Sequence, residues 1–125
     1  MKIARIHHVS LIVTDLERAV RFYEEVLGLQ QMQRPDLGFP GVWFSIGATG
    51  QQLHLLVHQG ETGRSGGIDT RDGHFALSID DFDEAVRWLD SKGIAYEARR
   101  ESKAGFPQIF ILDPDHNIIE LNITS

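Results

Sequence analysis

Four side chains that can bind a metal recur at one spacing. His8 and His74 are 66 residues apart (74 − 8), and so are His54 and Glu120 (120 − 54). Three neutral imidazoles and a carboxylate suit a divalent first-row ion (Ni, Zn, Mn or Fe), and they include the two-histidine, one-carboxylate combination with one histidine to spare. A single histidine on a half-buried strand is ordinarily a polar residue at a sheet surface. Four ligand-type residues at repeat-equivalent points are a different observation. The remaining histidines fall outside the set. His7 has the opposite strand parity to His8, His116 sits in a turn, and His58 lies four residues past His54, about 13 Å along a strand at ~3.3 Å per residue.

The elements that must position these groups also repeat. His8-Val-Ser-Leu-Ile-Val-Thr-Asp-Leu-Glu-Arg-Ala-Val-Arg and His74-Phe-Ala-Leu-Ser-Ile-Asp-Asp-Phe-Asp-Glu-Ala-Val-Arg share the offset, with Asp15 over Asp81, Ala19 over Ala85 and Arg21 over Arg87. A repeat of this length sets the architecture before any other signal. Each copy passes from period-two alternation to helical spacing. In the first copy a strand is expected over 4–14. A helix follows, with Thr14 as N-cap, Glu17 completing a capping box, and Gly28 as the stop. Strands are expected over 29–34, 41–47 and 51–58. Gln59 to Asp72 is glycine-rich, polar and without period, and reads as a linker. The second copy repeats the order: a strand over 73–79, a helix from Asp80 or Asp81 to Gly93, and strands over 94–100, 107–112 and 117–124.

Each copy is therefore βαβββ. The fold expected is α+β: two paired βαβββ modules forming a cupped eight-stranded mixed sheet with helices on the outer face. The whole of 1–125 is read as one domain, with module one at 1–58 and module two at 73–125. In the four ligand-bearing strands the apolar sets are Val9/Leu11/Val13, Leu53/Leu55/Val57, Phe75/Leu77/Ile79 and Ile119/Leu121/Ile123. These must face the helices, so His8, His54, His74 and Glu120 are expected on the opposite, open face. Ser10, Gln52, Ser78 and Asn122 share that face by alternation and are candidate substrate contacts. Trp43, Phe44, Trp88 and Phe106 read as core or cleft wall. Arg34, Arg99, Arg100 and Lys103 read as solvated, with one or two able to guide an anionic substrate.

Composition narrows the partners. The chain has 125 residues, a net charge of −6 and no cysteine. Disulfides, thiolate ligands and a cysteine nucleophile are excluded, and a cytoplasmic location is expected. With no basic cluster longer than Arg99-Arg100, neither nucleic acid nor an anionic membrane is an expected partner. No apolar run approaches a membrane span, and the start lacks a signal-peptide core.

The stretch from His8 through Val13-Thr-Asp-Leu-Glu-Arg-Ala-Val-Arg-Phe-Tyr-Glu-Glu-Val-Leu-Gly-Leu resembles the entry motif of the vicinal oxygen chelate superfamily, the glyoxalase, bleomycin-resistance and extradiol-dioxygenase group. Gly73-His-Phe-Ala-Leu-Ser-Ile-Asp-Asp and Phe110-Ile-Leu-Asp-Pro-Asp-His-Asn-Ile-Ile-Glu-Leu resemble its second-module motifs. The resemblance implies a homodimer and a divalent metal held by His8, His74 and Glu120, with His54 at the fourth, more variable place. It implies a glyoxalase-like lyase or isomerase, similar to lactoylglutathione lyase, in which the metal chelates adjacent oxygens of a small substrate and stabilises an enediolate or alkoxide. Glu120 would serve as base. The alternatives are an iron-dependent extradiol-type dioxygenase and a bleomycin-resistance-like small-molecule binding protein. Two positions depart from the family pattern: bacterial glyoxalase I enzymes usually carry glutamate where His54 stands, and the usual turn motif has glycine where His116 stands.

Overall fold

A computed structural model describes residues 1–58 and 64–124. Two compact units divide the chain, Met1–Gly63 and Arg64–Ser125. Residues 59–63 of the expected linker lie outside the described residues.

Unit one runs β1 (His8–Ile12), α1 (Leu16–Glu25), β2 (Gln30–Met32), β3 (Gly41–Ile46) and β4 (Gln51–Leu56). Unit two runs β5 (Phe75–Ser78), α2 (Phe82–Ser91), β6 (Tyr96–Arg99), β7 (Gln108–Leu112) and β8 (Ile118–Asn122). The eight strands hydrogen-bond as two sheets of four, ordered β1-β4-β3-β2 and β5-β8-β7-β6. In each, the first strand pairs parallel with the fourth and the remaining pairs are antiparallel. The fold class is α+β, built of two βαβββ modules as the repeat requires.

The first helix begins one residue later than expected. Asp15, not Thr14, is its N-cap: Asp15 has the extended backbone a cap needs (φ −128°, ψ 106°), and its carboxylate accepts from the Arg18 N–H at 3.1 Å. Thr14 instead accepts from the Arg18 guanidinium through Oγ1 at 3.1 Å. The cap repeats at the 66-residue offset, where Asp81 accepts from the Glu84 N–H at 2.9 Å. Gly28 and Gly93 end the helices at φ 68° and 67°, a conformation that only glycine takes without steric cost.

The core of unit one lies between α1 and one face of its sheet. Ala19, Phe22 and Tyr23 are buried with Val13, Phe44, Leu53 and Leu55, and the Tyr23 ring meets Phe44 at 6.1 Å between centroids. In unit two Phe82 and Leu89 of α2 are buried, as are Ile109, Ile111, Ile119 and Leu121 of the central strands. Among the described residues no helix is long and apolar enough to cross a membrane.

Candidate functional site

The strand registers give each ligand-type residue its face. In unit one His54 lies opposite Ser10 on β1 and opposite Trp43 on β3. Phe44 and Leu53, which oppose each other and belong to the helix side, have the other parity. His54 therefore projects away from α1, together with His8, Ser10, Gln52 and Trp43. In unit two Glu120 lies opposite Ala76 on β5 and Phe110 on β7. The first- and fourth-strand pairings obey the 66-residue offset: Ser10 with His54, Ala76 with Glu120.

Three rings are layered in unit one. The His54 ring is stacked on Trp43 (4.1 Å between centroids, 5° between planes) and on His8 (4.1 Å, 14°). Its Nε2 donates to Gln52 Oε1 at 2.8 Å. His8 meets His7 through their Nδ1 atoms at 2.9 Å, so one of the two rings donates to the other. His7 is thus exposed and edge-on to His8 at 5.2 Å, a contact its strand parity did not suggest, because the sheet begins only at His8.

His54 is 8% exposed, and its pKa is lowered to about 4 by burial first, then by the nearby charges of His8, His7 and Arg34. The ring is therefore neutral in the folded protein at pH values where a free imidazole takes a proton. The unfolded chain then binds more protons, so stability is full above about pH 6.5 and falls as pH drops through 4. Metal-free protein is expected to lose on the order of 3 kcal/mol from this group between those values. Urea unfolding of wild type and His54→Gln across that range checks it; equal acid sensitivity of the two would rule the effect out.

In unit two His74 stands one residue ahead of β5, within reach of β8. Its Nδ1 is 2.7 Å from the Asp72 carbonyl oxygen, which can only accept, so Nδ1 carries the proton. Nε2 lies 3.2 Å from Glu120 Oε1: its lone pair is open to a metal when the ring is neutral, and it donates to the carboxylate when the ring carries a second proton. Asn122 Nδ2 donates to the other carboxylate oxygen, Oε2, at 2.8 Å. Glu120 is 5% exposed. His74 and the buried Glu120 thus face each other in a part-buried place, each fixed from behind by a hydrogen bond. Donors sharing one ion at ~2.1 Å stand about 3 to 3.4 Å apart, so this pair has the spacing of two adjacent ligands. Oriented second partners of this kind are what metal-binding histidines and carboxylates use. The donor set therefore fits a divalent ion.

The structure brings the expected residues together in two pairs, His8 with His54 and His74 with Glu120. Among the described residues no group of three or more His, Asp or Glu side chains gathers to hold a metal. Of the expected substrate contacts, Ser10 is exposed opposite His54. Ser78 Oγ is 3.4 Å from Asn122 Oδ1. Gln52 and Asn122 are committed to His54 and Glu120, so each orients a ligand-type side chain. Trp43 is the residue that sequence reading missed, being taken as generic wall. Its parity against His54 becomes visible only once the β3–β4 register is known. His116 does adopt the strained backbone its motif position implied, at φ 65°.

Residues 5–121 match the family model described as the glyoxalase/bleomycin resistance protein/dioxygenase superfamily. A protein of Vibrio parahaemolyticus described as a probable lactoylglutathione lyase is 31% identical over 97% of this chain and 91% of its own. The human mitochondrial methylmalonyl-CoA epimerase is 29% identical over 90% of this chain and 69% of its own. A crystal structure of a glyoxalase/dioxygenase from Nostoc punctiforme superposes with a TM-score of 0.78 at 25% identity, covering 97% of this chain and 91% of that one.

Proposed function

Because the chain belongs to the glyoxalase/bleomycin resistance protein/dioxygenase superfamily, we propose that it is a metal-dependent enzyme of the glyoxalase-like branch, acting as a homodimer on a small substrate with adjacent oxygens. His8, His74 and Glu120, joined by His54, are the ligands in this reading. The observation that carries it is the facing of His74 Nε2 and Glu120 Oε1 at 3.2 Å, each side chain held from behind, a spacing that two ligands of one cation would have. When bound, a divalent ion supplies a Lewis acid for two neighbouring substrate oxygens. Glu120 would serve as base once released as a ligand: Asn122 holds Oε2, and the freed Oε1 would take a proton from the carbon beside a carbonyl and return it. With His54 where a second carboxylate would stand, the proton leaves and returns at Glu120 alone. Asp72 keeps the His74 proton on Nδ1, and Gln52 sets the ring of His54.

The test is metal content and thermal stability. Protein purified without chelator is expected to carry a divalent metal, and the chelated protein to regain its melting temperature when Ni²⁺, Zn²⁺, Mn²⁺ or Fe²⁺ is added. Trp43, stacked on His54, should report the event, since paramagnetic Ni²⁺ beside it would quench its emission in wild type and not in Trp43→Phe. No bound metal, together with no thermal shift for any of the four ions, would sink the reading. Oxygen uptake with catechols under ferrous iron would replace it with the dioxygenase.

A further inference from the structure

The open face of the unit-one sheet carries a cation that the proposed metal chemistry does not use. Arg34 lies two residues beyond Met32, and Met32 opposes Trp43, so Arg34 continues the alternation onto the face of Trp43 and His54. Extending the β2–β3 register puts it across from Gly41. The guanidinium occupies the space a side chain would fill there: a Cβ on Gly41 would meet Arg34 Nη2 at 2.9 Å and the Leu55 carbonyl oxygen at 2.6 Å. Glycine at 41 is what lets the guanidinium lie down on the sheet. Its Nη2 donates to the Phe39 carbonyl at 3.1 Å, and its Cζ lies 5.0 Å from the Phe39 ring centroid. Among the described residues Arg34 Nε is buried without a hydrogen-bond partner and no carboxylate pairs with the guanidinium.

The second unit contains the comparison. Arg99 lies over the Phe110 ring, opposite Gln108, at the place matching Arg34, and Phe110 opposes Glu120 as Trp43 opposes His54. Arg99, however, is neutralised by Glu97 at 2.7 Å. A half-buried charge with an unused donor costs free energy unless an acceptor comes to it. We infer that Arg34 is the anchor for a carboxylate on the substrate, which its planar fork binds while the reacting oxygens lie toward His54. This rests on the reading of the open face as the substrate side. Gly41 and Trp43 are two residues apart, about 7 Å along the strand, so a carboxylate a few bonds from the reacting carbon spans the gap. The positive influence of Arg34 on His54 agrees with that proximity.

The experiment uses chelator-treated protein, so its outcome is independent of whether a metal binds. Malate, its neutral dimethyl ester and inorganic phosphate are titrated while following Trp43 emission and the Arg34 Nε–H resonance. Wild type is expected to bind malate at least about tenfold more tightly than the ester, with the Nε–H signal moving on binding. Arg34→Gln should erase the difference. Arg34→Lys, which keeps the charge and stem and loses the fork, should retain only part of it; it also stands in if the glutamine variant fails to fold. Equal malate affinity in wild type and Arg34→Gln, equal binding of acid and ester, or an Nε–H signal that malate leaves in place would each overturn the assignment. A signal moved by phosphate and not by malate would overturn the carboxylate and point to a tetrahedral anion.

Discussion

Glu120→Gln is expected to keep the fold and lose the metal. Glutamine has the shape of glutamate, and its carbonyl oxygen can still accept from Asn122 Nδ2. Its amide nitrogen then faces His74 Nε2, now a donor against a lone pair. With the His74 ring neutral, the two atoms 3.2 Å apart then form a hydrogen bond. The metal-free variant should therefore melt at or above the temperature of metal-free wild type. Metal affinity should fall by more than the roughly 10–100-fold that loss of a supporting partner costs. Any turnover that uses Glu120 as base should drop by about 10²–10⁴. Asn122→Ala is the graded companion: it frees Oε2 without removing the ligand, and about 10–100-fold in metal affinity is expected. Metal titration by calorimetry, beside thermal melts of the metal-free proteins, reads both effects. If Glu120→Gln binds metal as wild type does, or melts lower without it, Glu120 is a structural acceptor and the proposed ligand set is wrong.

How much of this was legible in the sequence depended on what repeats. The 66-residue offset identified the two modules and the equivalence of their first and fourth strands, because each is a local signal present twice. It failed at the third strand. Trp43 opposes His54 while Phe110 opposes Glu120, an offset of 67. That one-residue difference arises between elements, where loop length sets register and no periodicity records it. The Thr14 cap was misplaced for a similar reason. Threonine and aspartate are adjacent and both can cap, and only the backbone angles at Asp15 decide between them. Side-chain direction was legible wherever apolar residues alternate strictly, as at Leu53, Leu55 and His54. It was not legible at His7, which lies just outside the hydrogen-bonded strand and follows its contact with His8 rather than the pleat. The role proposed for Arg34 needed two facts that no pattern carries, an empty place at Gly41 and, among the described residues, no carboxylate such as Glu97 supplies to Arg99.

The largest stability effect expected in the chain is at a residue that touches no proposed ligand. Asp113 closes the turn between β7 and β8 and is 4% exposed. Its Oδ1 accepts from the N–H groups of Asp115 at 2.9 Å and Asn117 at 2.8 Å, and its Oδ2 accepts from Asn117 Nδ2 at 2.9 Å. Asp115 and Asn117 are themselves buried, so water cannot easily replace the lost acceptor. Asp113→Ala would leave three buried donors without this partner, and hydrogen bonds to a charged group contribute about 1.5–3 kcal/mol each, less than additively when shared. A loss of about 3–5 kcal/mol is expected, a large fraction of the 5–15 kcal/mol typical of a domain. Asp113→Asn should cost roughly half as much, since one oxygen still serves the two backbone donors while its amide opposes Asn117 Nδ2. The turn holds His116 at φ 65° and sets the register that places Phe110 opposite Glu120. Release of the turn should therefore also weaken the metal affinity assigned to Glu120, in proportion to how far β8 slips. Urea unfolding of the two variants separates the contributions. A loss below about 1 kcal/mol for the alanine variant would mean that solvent enters the turn, and the hairpin would then owe its register to the apolar pairs Ile109–Leu121 and Ile111–Ile119 alone.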